Sequence, residues 1–164
     1  MNSVSKSPQG ATSANGNTAK EFLNRYRALL IRRDSIQRTI DMAYDRAYST
    51  SAGVKEVVVQ SNGIPDRMAE EVVNIVEETK LLDRVKAQIE EALAEILKAI
   101  DSVQNETQKA VLTLRYVEGL SWKNIEKAIH YERRQTFVIH GRALRAIRRY
   151  LEKAHPNAPE DVLE

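Results

Sequence analysis

The stretch that decides the fold is Arg115–Tyr150, RYVEGLSWKNIEKAIHYERRQTFVIHGRALRAIRRY. Its apolar residues recur at helical spacing in two runs, which predicts two short helices joined by a tight turn near Ala128–Tyr131. The second helix carries six arginines: Arg133, Arg134, Arg142, Arg145, Arg148 and Arg149. Because apolar side chains define the buried face of a helix, we expect these arginines on its outer face.

Composition restricts the fold class. A chain of 164 residues allows one domain, or one small domain with a long accessory element. Hydrophobic residues make up 42% and aromatic residues only 5%, which favours helices over a β-sandwich. The chain has no cysteine, so disulfides, thiolate metal sites and cysteine nucleophiles are excluded. We therefore expect an all-α protein.

Both ends of the chain are predicted to lie outside the folded helices. Residues 1–18 are rich in Ser, Asn, Gly and Thr, which predicts a disordered tail. This segment lacks the apolar core of a secretory signal, and no run approaches the ~20 apolar residues of a membrane span. Residues 154–164 are predicted to be a short acidic tail. A cytoplasmic protein without a membrane partner is the expectation.

Residues 19–104 are predicted to form a long antiparallel coiled-coil hairpin. The first helix, from Ala19 to about Tyr48, has apolar residues at alternating steps of four and three, with Thr18 as its N-cap. Residues 49–65 form the predicted connection, either a plain loop or a partner contact. The second helix starts near Asp66 and keeps the same alternation for about five heptads. Its seam comprises Met68, Val72, Ile75, Thr79, Leu82, Lys86, Ile89, Leu93, Ile96, Ile100 and Val103.

Two polar positions in this seam, Thr79 and Lys86, leave alternatives open. Either they fix register or oligomeric state, or Lys86 lies at an edge while Val85 fills the space. The second helix is also about nine residues longer than the first. This excess predicts packing against the C-terminal domain or against a second chain, the latter giving a homodimer through the heptad helices.

Residues 105–153 are predicted to form a helix-turn-helix domain. Thr107 is the expected cap of its first helix, Gly119 ends that helix, and Ser121 caps the next one. The buried face of the arginine-bearing helix is expected to comprise Thr136, Ile139, Ala143, Leu144 and Ile147.

Positive charge is concentrated in this domain. From Arg115 to Lys153, ten Lys/Arg face four Asp/Glu, a net charge of +6, whereas the rest of the chain carries −4. A basic outer face on the second helix of such a pair is typical of proteins that bind the major groove of double-stranded DNA. The predicted DNA-binding residues are Ser121, Lys123, Arg133, Arg134, Phe137, Val138, His140, Arg142 and Arg145.

The arginines also have a purely structural interpretation, because Arg148 and Arg149 near a helix C-terminus gain from the helix dipole without any ligand. Enzymatic signatures are lacking: no glycine-rich phosphate loop, nucleophile elbow or paired-carboxylate motif occurs. The three histidines, His130, His140 and His155, show no metal-ligand spacing. We expect a protein that is not an enzyme and that holds no cofactor and no metal.

The same residues resemble region four, the C-terminal helix-turn-helix of bacterial sigma factors. That family runs Arg-Tyr, two residues, Gly-Leu-Ser/Thr, a helix, a turn, and a recognition helix ending in Arg-Ala-Leu. The matching positions, without a gap over some 40 residues, are Arg115-Tyr116, Gly119-Leu120-Ser121, Ile125, Ile129, Arg133, Ile139 and Arg142-Ala143-Leu144.

The resemblance implies where DNA would be read. Arg133 falls where the family's recognition helix reads a promoter's upstream element, and Arg134 and Val138 occupy further base-reading positions. The family usually has Glu and Gln at those two positions, so a different target sequence is implied. Since the preceding 114 residues lack the aromatic-rich helices of a complete sigma factor, the chain is similar to small phage-encoded sigma-like regulators, including late-gene activators.

That similarity implies a transcription regulator in the cytoplasm of a bacterial host, with double-stranded DNA as partner and host RNA polymerase as a second one. Two other functions fit the sequence. One is a phage DNA-packaging recognition subunit of the small-terminase type, which also joins a helix-turn-helix to helical oligomerisation elements. The other is a polymerase-binding protein that contacts no DNA.

Overall fold

The computed structural model describes residues 11–52 and 64–154, of which 91% are helical and none lies in a strand. The all-α prediction is therefore confirmed for this part of the chain. The helices are α1 Ala11–Ala52, α2 Ile64–Asp101, α3 Glu106–Leu112, the π-helical turn Thr113–Val117, α4 Trp122–Ile129 and α5 Arg133–Ala154.

The first helix is longer than predicted. α1 begins at Ala11, whereas the sequence predicts a tail over 1–18, and Thr18 lies inside the helix rather than capping it. Once a helix has formed, each added residue gains a hydrogen bond, and this opposes the cost of about 1 kcal/mol for Gly16 inside α1.

The predicted connection is correspondingly shorter, because α1 continues to Ala52 and α2 begins at Ile64. Pro65 is then the second residue of α2, in the first turn, where its missing N–H costs no helical hydrogen bond. The rest of the predicted loop, residues 53–63, and the terminal segments 1–10 and 155–164 lie outside the described residues.

The helices divide between two compact units, and Ala28–Glu91 forms one of them. Its core consists of Ile36 and Ile40 from α1 and Leu82 and Val85 from α2, with Leu81 and Ile89 packed against it. Arg46 Nε donates to Glu71 Oε1 at 2.9 Å. These contacts run in opposite order along the two helices.

The seam of α2 departs from the strict heptad. Val85 is only 1% exposed, whereas the Lys86 side chain is 54% exposed and pairs with Asp83 at 3.5 Å. Of the two interpretations of Lys86, the edge position is thus the observed one. Ala92 is likewise more deeply buried than the predicted Leu93, and Val72 is exposed. Seven residues of a straight α-helix fall short of two full turns by about 20°. The direction of a strict seven-residue seam therefore rotates along the helix, and a neighbouring residue becomes the buried one.

The second unit comprises residues 1–27 and 92–164, and its described part is built around one large apolar cluster. That cluster is formed by Ala19, Leu23, Ile96, Ala99, Ile100, Val103, Leu112, Tyr116, Ala143, Leu144 and Ile147. A smaller cluster of Val111, Ile125 and Ile139 joins α3, α4 and α5. α5 is therefore held from both sides, and only its remaining face is left for other contacts.

Caps and turns fix where the short helices begin and end. Asn105, not the predicted Thr107, is the N-cap of α3, and its side chain accepts from Gln108 N at 3.0 Å. Ser121 caps α4 as predicted, accepting from Asn124 N at 3.4 Å. Gly119 follows the π-helical turn with φ of 77°, a left-handed conformation that glycine adopts without steric cost.

Replacing Gly119 with alanine should destabilise the fold. The new Cβ would overlap the guanidinium of Arg27, and the left-handed backbone costs an L-residue roughly 1–2 kcal/mol. Gly141→Ala is the matched control, because Gly141 lies inside α5 with open space around the added Cβ. That variant should gain about 0.5–1 kcal/mol. Urea denaturation of both variants checks this, and equal midpoints would contradict the stated role of Gly119.

Candidate nucleic-acid interface

α4 and α5 are joined by the short connection His130–Glu132. His130 adopts φ 56°, ψ 37°, and its backbone N–H donates to the Glu126 carbonyl, which also accepts from Tyr131 N at 3.3 Å. This left-handed residue ends α4, and α5 starts at Arg133 three residues later. A non-glycine residue holds this conformation at a cost of about 1 kcal/mol.

The outer face of α5 is basic at both ends. Arg133, Arg134, Phe137 and Val138 are exposed in its N-terminal half, while the predicted buried residues Thr136, Ile139, Ala143, Leu144 and Ile147 are all buried. Arg142 and Arg145 are exposed in the second half. Ser121 and Lys123 are also exposed, at the beginning of α4. Eight of the nine predicted site residues thus lie at the surface.

His140 is the exception, and its prediction as a DNA-contacting residue is wrong. Its side chain is 7% exposed, stacks on Tyr116 and meets the Trp122 ring edge-on. Nε2 of His140 and the Tyr116 hydroxyl share a hydrogen bond at 3.0 Å. The helical period alone places His140 at the border of the buried face. Its side chain turns inward because it shares a hydrogen bond with Tyr116.

Burial sets the protonation of this pair. Desolvation, aided by the positive charges of Lys20 and Arg115, lowers the pKa of His140 to about 4. Desolvation also raises the pKa of Tyr116, with Arg115 opposing the shift. Both side chains are therefore neutral near pH 7, so the interior beneath α5 carries no charge from them.

A row of ring and cation contacts leads from this interior to the N-terminus of α5. The Arg115 guanidinium lies 4.9 Å from the Trp122 ring, the Trp122 and Phe137 rings are 4.7 Å apart, and the Arg133 guanidinium lies 5.7 Å from the Phe137 ring. Arg115 Nη1 also donates to the Leu120 carbonyl at 3.0 Å. Each contact restricts the next side chain, so Arg133 is partly oriented before any ligand arrives.

A cleft beside the second half of α5 contains residues that the sequence prediction missed. It has a volume of about 570 Å³ and is lined by Gln108, Arg142, Arg145, Arg148, Arg149 and Glu152. The spacing of its arginines was visible in the sequence, but Gln108 comes from α3 and only the fold brings it there.

Within residues 11–52 and 64–154, no group of three or more His, Asp or Glu side chains is placed to hold a metal ion. No helix in the described part of the chain is long and apolar enough to cross a membrane.

No protein-family model matches this chain, and no curated protein or solved structure matches it either.

The buried histidine should make stability depend on pH. The pKa of His140 is lowered from its ordinary value of 6.5, which applies to the unfolded chain, to about 4 in the folded protein. The unfolded state therefore binds more protons between these values, and stability falls as pH drops from 6.5 towards 4, by roughly 3 kcal/mol in total.

Urea denaturation of the wild type and of His140→Gln at pH 7 and pH 5 measures this effect. The wild type should lose about 2 kcal/mol more than the variant between these two values, since carboxylates and the other histidines contribute equally to both proteins. Parallel pH profiles would show that His140 is not held neutral by its surroundings.

Proposed function

We propose that the protein is a sequence-specific transcription regulator that binds double-stranded DNA, with α4 and α5 as its helix-turn-helix. The observation that carries this proposal is the N-terminal half of α5. There Arg133, Arg134 and Val138 are exposed together, directly after the turn, while the opposite face is packed. Recognition helices present base contacts from the same place.

The exposed side chains match the chemistry of major-groove edges. A guanidinium donates two hydrogen bonds to guanine O6 and N7, while an apolar side chain packs against the thymine methyl group. Phe137 and Val138, each 40% exposed, provide the apolar surface beside Arg133 and Arg134. Lys123 and Ser121, at the start of α4, would then meet backbone phosphates. A target containing adjacent G·C and A·T pairs fits this arrangement.

The wider role follows from the resemblance to sigma region four. The Arg115-Tyr116, Gly119-Leu120-Ser121 and Arg142-Ala143-Leu144 motifs support a phage or prophage late-gene activator acting in a bacterial cytoplasm. Host RNA polymerase is the proposed second partner. None of these residues supplies catalytic chemistry in this proposal, so the protein acts by binding and not as an enzyme.

Alanine at Arg133 and Arg134 together should abolish preference for the cognate site, because each lost base contact costs ~1–3 kcal/mol. Lysine at both positions keeps the charge but lacks the planar fork. The lysine variant should retain the salt dependence of binding while losing much of the sequence preference. Fluorescence anisotropy with a site selected from genomic fragments measures both quantities.

Arg38→Ala is the control, because Arg38 is an exposed arginine on α1, outside the proposed interface. It should leave affinity and preference unchanged. Cognate-site affinity that survives the double alanine substitution would exclude α5 as the recognition helix.

We further propose that α1 and α2 form a coiled-coil hairpin that pairs with a second copy. The contacts of the unit Ala28–Glu91 run in opposite order along the two helices, as a hairpin requires. Exposed apolar residues on α2, namely Val72, Val73 and Val76, provide a surface for the second chain.

Light scattering tests the oligomeric state. A dimer is expected, and replacing Val72, Val73 and Val76 with serine should give a monomer of unchanged helical content. An assembly of eight or more chains would instead favour the DNA-packaging subunit, which functions as a ring.

A further inference from the structure

The cleft beside the C-terminal half of α5 has a chemistry of its own. Its lining consists of four arginines, one glutamine and one glutamate, and includes no apolar side chain. The four guanidiniums occur within eight residues of one helix, from Arg142 to Arg149. Gln108 faces them from α3, and its side-chain amide adds two N–H donors.

The positive charge in this cleft is largely uncompensated. Arg148 Nε donates to Glu152 Oε1 at 2.7 Å, which neutralises one guanidinium. Among the described residues, no ion pair engages Arg142, Arg145 or Arg149. Since like charges three or four residues apart on a helix repel each other, an anion in the cleft would stabilise this segment.

These arginines lie too far along α5 to read the bases contacted by its N-terminus. Arg149 is sixteen residues beyond Arg133, about 24 Å along the helix axis. A recognition helix contacts base edges from its N-terminal residues. When the first turn of α5 reads bases, the cleft therefore lies several turns away from them, towards the flanking backbone.

We propose that this cleft binds phosphate groups of the DNA backbone flanking the base pairs that α5 reads. This inference rests on the proposed DNA binding and adds a second contact region to it. Guanidiniums donate paired hydrogen bonds to phosphate oxygens, the Gln108 amide supplies another donor, and Glu152 holds Arg148 in place. An acidic protein surface is the less favoured ligand, because the lining offers no aromatic or aliphatic anchor of the kind that dominates protein interfaces.

The test replaces Arg145 and Arg149 with glutamine and measures binding to a duplex of random sequence at several salt concentrations. The slope of log K against log salt is negative, and loss of two phosphate contacts should reduce its magnitude by about 2. The same loss should weaken binding roughly 30-fold at 0.15 M salt. The random duplex makes this result independent of sequence preference. Preference for a selected site should persist, since the base-reading residues are intact.

Arg32→Gln with Arg38→Gln is the matched control, because both are exposed arginines on α1. It removes the same net charge and should leave the slope unchanged. An unchanged slope in Arg145→Gln/Arg149→Gln, or an equal loss in the control, overturns the proposal. A cleft that serves an acidic protein would give the first of these results.

A second measurement uses inorganic tripolyphosphate without DNA. It should raise the thermal midpoint of the wild type at constant ionic strength and leave that of the Arg145→Gln/Arg149→Gln variant unchanged. A tripolyphosphate effect combined with no duplex binding would assign the cleft to free polyphosphates and overturn the DNA-backbone assignment. Random-duplex binding that depends on the cleft, without any preferred site, would leave this inference standing while the proposed sequence-specific function fails.

Discussion

Burial of one face of α5 is the constraint on which the candidate interface depends. Ala143, Leu144 and Ile147 pack into the large apolar cluster, and Ile139 packs with Val111 and Ile125. Each fully buried aliphatic side chain contributes about 1.5–3 kcal/mol, which exceeds any preference that individual surface arginines have for one orientation. Burial of the apolar side chains therefore fixes the rotation of α5 about its axis. The arginines face outward because of that rotation.

A second constraint acts at the N-terminal end of α5. There the row of contacts from Arg115 through Trp122 and Phe137 to Arg133 adds ring and cation contacts to the aliphatic packing. Such contacts leave the outer edges of Phe137 and Arg133 accessible while limiting their rotation. A side chain restricted in this way loses less conformational entropy when it binds, so pre-orientation adds to affinity.

Prediction from sequence was correct where apolar residues recur regularly at helical spacing and a capping or turn residue marks the end of the helix. All five predicted buried residues of α5 are buried, and Ser121 and Gly119 occupy the expected turn positions. It failed where neighbouring positions compete for the same space. Ala92 is buried in place of the predicted Leu93 because helical drift accumulates along α2, and His140 turns inward because Tyr116 offers it a hydrogen bond. Residues from separate helices, such as Gln108 in the arginine cleft, cannot be assigned from periodicity at all.

The π-helical turn Thr113–Val117 has a consequence for how this domain tolerates change in chain length. A π-turn accommodates one more residue than an α-turn, and here it forms the last turn of the helical segment that begins at Glu106. Tyr116, within this turn, lies four residues after Leu112 and is buried in the same cluster. Deleting one residue from this turn would restore α-helical phase and rotate everything after it by about 100°. The contact between Tyr116 and His140 therefore depends on the length of this turn.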